Sequence, residues 1–540
     1  MKKYLLIVIS LFSLAAFAQD DAWVYFNAKP GSAAFFNNPV SELSQRSLDR
    51  RTRQNIALDF KDAPMSQSYV NQVEAAAGVE VLAKSKWLNC VHVRGDASDI
   101  GQLSSLSFVD HIVFADNSLN ARSTVPKNNT RPRKVRKTRE SLVNFNYGDS
   151  FNQIHMLNGD LLHQQNHTGS GKIIAVLDAG FPNVNTVAPF QRLRDNNQIL
   201  GGYDYVHKST DFYTSNTHGT MVLSTMGGYV ENELVGTAPD ASYYLFITED
   251  VASENPVEES NWVEAAEEAD RLGVDIITSS LGYFAFDNPN YGHTYEDMTG
   301  DAAFASKGAN IAFSRGIVVV ASAGNEGSND EPHVGVPAEA NKVLAIGAVK
   351  SNEDRANFSS IGPSFDGRIK PDIMAQGQAS VLSNVDGEIV TANGTSFSGP
   401  IMAGMIASFW SALPNLTNEQ VVDFVKQSAD RFATPDNFYG YGIPDFNLAL
   451  NNAALLNVPV QTQNQFSVYP NPANDSVSIA FPDQFEDATL TIYNTLGQQI
   501  LMQNLTSQNA KVGLSSLHSG MYLYTIQSKA YLESGKISKQ

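Results

Sequence analysis

Between residues 150 and 455 the chain alternates two kinds of apolar patterning. "GKIIAVLDAG", "GVDIITSSLG", "GIVVVASAGNEG" and "NKVLAIGAV" are short, nearly continuous apolar runs bounded by Gly and polar residues. Runs of this kind suit strands buried on both faces, as in a parallel sheet. "VEESNWVEAAEEADRLG", "AAFASKGANIAFSRG" and "SFSGPIMAGMIASFWSAL" are helix-length stretches that alternate with them. Strands and helices in this alternation predict a doubly wound α/β domain with a mostly parallel sheet. Upstream, residues 22–120 mix short apolar runs such as "AWVYFNA" and "VEVLAKSKWLNCVHV" with a helical "SQSYVNQVEAAAG", which predicts a small α+β domain. Downstream, "FSVYPNPANDSVSIAF", "ATLTIYNTLGQQI" and "GMYLYTIQS" are strand-length runs split by Pro, Asn and Gly, and residues 463–540 read as a small all-β sandwich. No internal repeat of solenoid length interrupts this order.

The first residues stand apart from these units. "MKKYLLIVISLFSLAAFAQDD" has two lysines, an apolar run and Ala16-Phe17-Ala18, the pattern of a secretory signal peptide cleaved before Gln19. The run is short for a membrane span, and no later run of 18 apolar residues exists, so an exported protein without a transmembrane segment is expected. The single cysteine, Cys90, forms no internal disulfide, and its setting "KWLNCVHV" reads as a strand with a buried thiol. The net charge of −19 hides an asymmetry: residues 1–140 are net +6 and the remainder net −25. That balance argues against nucleic acid as a partner. Residues 121–140, "RSTVPKNNTRPRKVRKTRE" with its preceding Ala, carry eight basic residues, one acid and two prolines, and read as a linker open to cleavage.

Chemistry enters where strands end, because sites in open α/β sheets form at the carboxyl ends of strands. "IIAVLDAG" delivers Asp178, "ASAGNEG" delivers Asn325, "SNTHGTMV" places His218 before a glycine, and "ANGTSFSGPIMAG" places Ser396 at the start of a helix. Taken singly, each has an ordinary reading: a cap, a turn former or a satisfied histidine. As a set they supply what acyl transfer requires. A serine hydroxyl needs an adjacent base, a carboxylate orients the imidazole, and amide donors meet the oxyanion.

"AVLDAGF", "HGTMV", "ASAGNEG" and "NGTSFSGPIMAG", in the order Asp, His, Asn, Ser, together resemble the subtilisin-like serine proteases, the subtilases, over roughly residues 150–455. The resemblance implies a serine endopeptidase with Asp178, His218 and Ser396 as the triad and Asn325 at the oxyanion. It also implies that Ser280, Leu281 and Gly282 of "TSSLGY" pair with substrate backbone, that Ser322, Ala323 and Gly324 form the opposite wall, and that Glu326 and Gly335 sit at the rim and floor of the specificity pocket. One departure stands out: Ala179 occupies the position after the catalytic aspartate where the family more often has Ser or Thr. Subtilases often hold structural calcium. The loop with Asp287, Glu296, Asp297 and Asp301 offers oxygen ligands, but its spacing fits no strict motif and no metal residue is assigned. No cofactor is expected for the chemistry.

The flanks carry separate resemblances. Residues 22–120 are similar to a subtilase propeptide in position, size and α+β character. "VYPNPANDSVSI", "YNTLGQQI", "LSSLHSGMYLYTI" and "GKISKQ" resemble a type IX secretion sorting domain, which implies a Gram-negative host and passage through the periplasm across the outer membrane. The organisation expected is therefore a signal peptide (1–18), a propeptide (19–120), a basic linker with the processing site (121–140), a catalytic domain (141–457) and a sorting domain (463–540). The partners expected are protein or peptide substrates, the chain's own propeptide as inhibitor and the type IX machinery. The rival reading is a catalytically silent surface adhesion protein on the same scaffold.

Overall fold

The computed structural model describes residues 19–120, 145–456, 466–481, 485–494, 498–528 and 531–540. The signal peptide, the basic linker and residues 457–465 lie outside the described residues. The chain divides into two compact units, one ending at Leu455 and the other beginning at Leu456.

The first unit opens with a four-stranded antiparallel sheet of β1 (Asp20–Phe26), β2 (Val79–Ser85), β3 (Cys90–Gly95) and β4 (Val109–Phe114), ordered β2-β3-β1-β4. Alternation along β1 sends Ala22, Val24 and Phe26 to a core shared with Val91 and Val93 and with Val70 and Val73 of the helix α2 (Gln67–Glu74). Its opposite face carries Trp23, Trp87 and Cys90 into the core of the following domain. The sheet thus has no solvated face at these positions, and the expected α+β domain is docked, with Cys90 buried.

That following domain holds a seven-stranded sheet of β5 (Ile173–Asp178), β6 (Ile199–Asp204), β7 (Ser242–Ile247), β8 (Ile276–Ser279), β9 (Val318–Ser322), β10 (Leu344–Val349) and β11 (Ile373–Gln376). Every adjacent pair is parallel, in the order β11-β10-β9-β8-β5-β7-β6. The continuous apolar runs become its central strands because both faces are covered. One face packs on α6 (Thr395–Ala412), which is apolar all round and almost wholly buried. The other face packs on α4 (Val257–Leu272) and α5 (Phe304–Ser314).

Helices α4 and α5 also receive the N-terminal sheet. Trp23 stacks on Phe304 with ring centroids 5.0 Å apart and donates its Nε1 hydrogen to Ser260 Oγ at 2.8 Å. The turn after β2 caps Glu267 of α4: Ser85 Oγ (2.6 Å), Lys86 N–H (2.9 Å) and Trp87 N–H (2.9 Å) all donate to its carboxylate. Burial pushes the Glu267 carboxyl up to about 7, against the pull of Lys86.

An arm between β1 and β2 carries the helix α1 (Gln45–Arg53) to the far end of α4. There Arg50 and Arg51, both fully buried, pair with Asp270, and Arg51 also reaches Asp62 at 2.7 Å. Arg315 closes the network on Asp62 (3.0 Å) and Asp59 (2.8 Å). Burial opposes the charge on Asp270, but Arg51 and Arg50 outweigh it and hold its carboxyl below the usual range.

In the second unit, strands Ser467–Tyr469, Ser476–Ala480 and Lys511–Gly513 form one antiparallel sheet. Gln499–Thr506, Asp487–Tyr493, Gly520–Ser528 and Tyr531–Lys539 form another. Val477, Ile479 and Val512 of the first meet Leu490, Ile492, Ile526 and Ile537 of the second in one core, the expected sandwich.

Candidate active site

Asp178 is the last residue of β5, and His218 opens the helix α3 (His218–Gly227). His218 Nδ1 meets Asp178 Oδ1 at 2.7 Å. The glycine after His218 is required by space: a Cβ at Gly219 would lie 2.5 Å from the Gly180 carbonyl and 3.0 Å from the Asp178 side chain. The Asp178 charge, opposed by burial and aided by the hydrogen bond, raises the His218 imidazole above its ordinary value. Asp178 Oδ1 also accepts the Ala179 N–H at 2.8 Å, whereas its Oδ2 is buried and accepts nothing. The methyl of Ala179 offers no hydroxyl there.

Ser396 is the second residue of α6, preceded by Gly394 at φ 150°, a backbone region that favours glycine. Pro400 lies inside this helix and has no N–H to give the Ser396 carbonyl four residues back. That carbonyl instead accepts the Ser280 hydroxyl at 2.9 Å, and Ser322 Oγ donates to the Thr395 carbonyl at 2.7 Å. The segment after β8 and the end of β9 are thereby pinned to the first turn of α6. Phe397 carries its ring to 6.1 Å from that of His218, which brings Ser396 and His218 to the same edge of the sheet. The Ser396 hydroxyl and His218 close no hydrogen bond in this structure.

Asn325 follows β9 by three residues. Its side-chain oxygen accepts both the N–H (2.9 Å) and the hydroxyl (3.1 Å) of Thr395. With the oxygen held, only the NH₂ end of the amide is left to face the cleft. Beside it a cavity of about 500 Å³ is lined by Gly282, Ser322, Ala323, Gly324, Glu326 and Gly335, six of the eight groove positions expected from the sequence. Ser280 and Leu281 lie outside that lining: Ser280 turns to Ser396, and Leu281 packs in the core with α4 and α5.

Sequence reading missed Thr395, the residue that orients Asn325, and Tyr283, which lines the cavity and donates its N–H to the Val336 carbonyl at 2.9 Å. It also missed Glu254, which lines the same cavity. Two of the acids of the 287–301 loop accept backbone hydrogen bonds. Asp297 accepts the Thr294 N–H and hydroxyl, and Asp287 accepts the Glu254 N–H at 3.2 Å. Among the described residues the acids that do converge are Glu249, Glu254 and Glu258. Burial and mutual repulsion push Glu249 up to about 8 and Glu258 up to about 9.

A parallel sheet bringing Asp, His, Asn and Ser to one edge beside such a cleft is the architecture of the subtilisin class of serine proteases. The chain belongs to the subtilase family, whose model matches residues 169–442. The propeptide domain of Bacteroidota members of that peptidase family matches residues 21–133, and the secretion-system C-terminal sorting domain matches residues 467–540. Subtilisin NAT of Bacillus subtilis subsp. natto is 33% identical over 296 residues, 54% of this chain and 68% of that protein. Subtilisin DY of Bacillus licheniformis is 32% identical over 292 residues, 54% of this chain and 93% of that protein. Among solved structures, the MycP3 protease of the type VII (ESX-3) secretion system is 22% identical over 58% of this chain and 93% of that chain, with a TM-score of 0.45. The protein is thus a subtilisin-like serine endopeptidase with a propeptide domain and a type IX sorting domain that directs its secretion. No described helix is long and apolar enough to cross a membrane.

Proposed function

We propose that the protein is an exported endopeptidase that hydrolyses peptide bonds through an acyl-enzyme on Ser396 and is made as an inactive precursor. His218 takes the Ser396 proton as that oxygen attacks the peptide carbonyl, and returns it to the leaving amine. Asp178 fixes the imidazole tautomer and stabilises the imidazolium. The Asn325 NH₂ and the Ser396 N–H receive the oxyanion. Backbone of Ser280–Gly282 and Ser322–Gly324 pairs with the extended substrate, and the cavity ending at Gly335, with Glu326 at its rim, takes the side chain before the cleaved bond. The observation that carries this reading is the His218–Asp178 contact at 2.7 Å beside an Asn325 amide clamped by Thr395.

In the same reading residues 19–120 inhibit until the linker 121–140 is cut, residues 141–457 form the enzyme, and residues 463–540 are read by the type IX machinery. A fluorophosphonate probe tests the chemistry: the processed protein is expected to be labelled at Ser396, and His218→Ala to abolish labelling. Processed, folded protein that leaves the probe unreacted would refute the acyl-enzyme.

A further inference from the structure

Beside the cleft, β7 ends at Ile247 and the chain runs through Thr248 and Glu249 into a loop that returns at α4. Glu254 of the loop and Glu258 of the first turn of α4 come back to Glu249. One carboxylate oxygen from each lies within 4.8 Å of the others, a separation that a single ion held at about 2.4 Å by all three accommodates. Glu258 is fixed in place by the N–H groups of Asp250 (3.0 Å) and Asn255 (3.1 Å). The charged neighbours of the cluster are further acids: Asp178 and Asp250 face Glu249, and Asp250 and Asp287 face Glu254.

A second observation comes from the wall of the cleft. Tyr283 is 1% exposed, and its hydroxyl is directed at Glu249 and Thr248 without closing a hydrogen bond to either. Thr248 Oγ1 and one oxygen of Glu249 are also buried without a partner. Buried polar atoms are normally paired, so this concentration of unpaired oxygens beside three carboxylates marks a place for a cation.

We propose that Glu249, Glu254 and Glu258, with the Tyr283 and Thr248 hydroxyls behind them, form a calcium site. The donors are all oxygen, which disfavours zinc and copper. Two of the three come from a loop and its helix junction, an irregular cage that calcium tolerates and magnesium, with its near-octahedral demand, does not. Tyr283 directly follows Gly282 and is bonded through its N–H to Val336, the neighbour of Gly335. The ion therefore ties the loop after β7 to one wall and to the floor of the specificity cavity.

Terbium, a luminescent stand-in for calcium excited through nearby tyrosine, tests this on the full chain carrying Ser396→Ala, where no turnover is needed. Glu254 is exposed, so Glu254→Gln is expected to fold as the parent does, which melting in chelator checks. The parent is expected to bind one more terbium ion than Glu254→Gln, or to bind it at least ~10-fold more tightly, with calcium displacing it; Glu258→Gln should show the same loss. Equal stoichiometry and affinity in parent and Glu254→Gln would overturn the proposal. So would a cluster that stays metal-free at millimolar calcium while Glu254→Gln, with Ser396 intact, lowers kcat/KM only for peptides bearing Lys or Arg: the acids would then recognise a substrate's basic side chain. Because binding is read without catalysis, the site stands or falls separately from the acyl-enzyme.

Discussion

Thr395 holds the Asn325 amide by its oxygen, so the orientation of the proposed oxyanion donor is set by a residue that is itself fully buried. Asn325→Ala is expected to lower kcat by roughly 10²–10³-fold with little change in KM, since the lost bond exists mainly in the transition state. An unchanged kcat in steady-state assays would reduce Asn325 to a turn former. Asp178 invites a second substitution. Its Oδ2 is buried and unpaired, and the next residue, Ala179, has no hydroxyl to offer it. Ala179→Ser offers a hydroxyl that spreads the carboxylate charge, weakens its hold on the imidazolium and lowers the His218 pKa. His218 acts as a base only when neutral, and the Asp178 charge raises its pKa, so the acid limb of the pH–rate profile should lie above the ordinary histidine value of about 6.5. Ala179→Ser should move that limb to lower pH; a limb that stays put or rises would show that Oδ2 plays no part.

At the scale of elements, α6 is joined to the sheet by a defect. Pro400 leaves the Ser396 carbonyl without its helical donor, and Ser280 supplies a hydroxyl in its place. Ser280→Ala should therefore destabilise the full chain by about 1 kcal/mol. In a Pro400→Ala background the restored N–H can satisfy the same carbonyl, so Ser280→Ala should cost much less there. Urea unfolding of the four proteins in this cycle measures the coupling, and strictly additive losses would show that the Ser280 bond is incidental. The sequence made much of this scale readable. Runs such as "IIAVLDAG" are apolar on both faces only in a covered parallel sheet, and the glycines at 219 and 394 mark places where a Cβ or ordinary φ does not fit. The pairing of Ser280 with Ser396 was not readable, because it joins positions 116 apart through a hydrogen bond that no local pattern announces. Thr395, next to Ser396, reads as part of a helix start until Asn325 is placed against it. The convergence of Glu249, Glu254 and Glu258 likewise depends on how one loop returns, whereas Asp297, in the acidic stretch more conspicuous in sequence, is taken up by capping.

At the scale of the whole molecule, two of the contacts that join the N-terminal domain to its partner differ in kind. The α1 arm buries Arg50 and Arg51 against Asp270, and nothing in "QRSLDRRTR" tells which arginines another domain will bury. Such a network is expensive to break from one side, so it fixes where the arm sits. The turn at Ser85–Trp87 caps Glu267, whose described hydrogen-bond partners all come from the N-terminal domain. This second contact makes propeptide affinity depend on pH. In the complex Glu267 keeps its proton up to about pH 7, whereas on the bare face of α4 it should titrate near 4.5, the ordinary range for a glutamate. Binding then takes up a proton between these values. Affinity is full below pH ~4.5 and falls as the pH rises through 7, because the carboxylate must be stripped of water to stay buried. Lys86, and more weakly Lys29, face this carboxylate and moderate the loss without reversing it. The cleaved propeptide, added back to mature enzyme, should inhibit one to two orders of magnitude more weakly at pH 8 than at pH 5, a window of about two and a half pKa units. Glu267→Gln keeps the Ser85 and Trp87 donors on its amide oxygen, loses the Lys86 N–H that met the other carboxylate oxygen, and cannot ionise, so its inhibition should be weaker at pH 5 than the parent's but nearly flat over the same range. An equally steep dependence in Glu267→Gln would assign the effect to another pair at the interface.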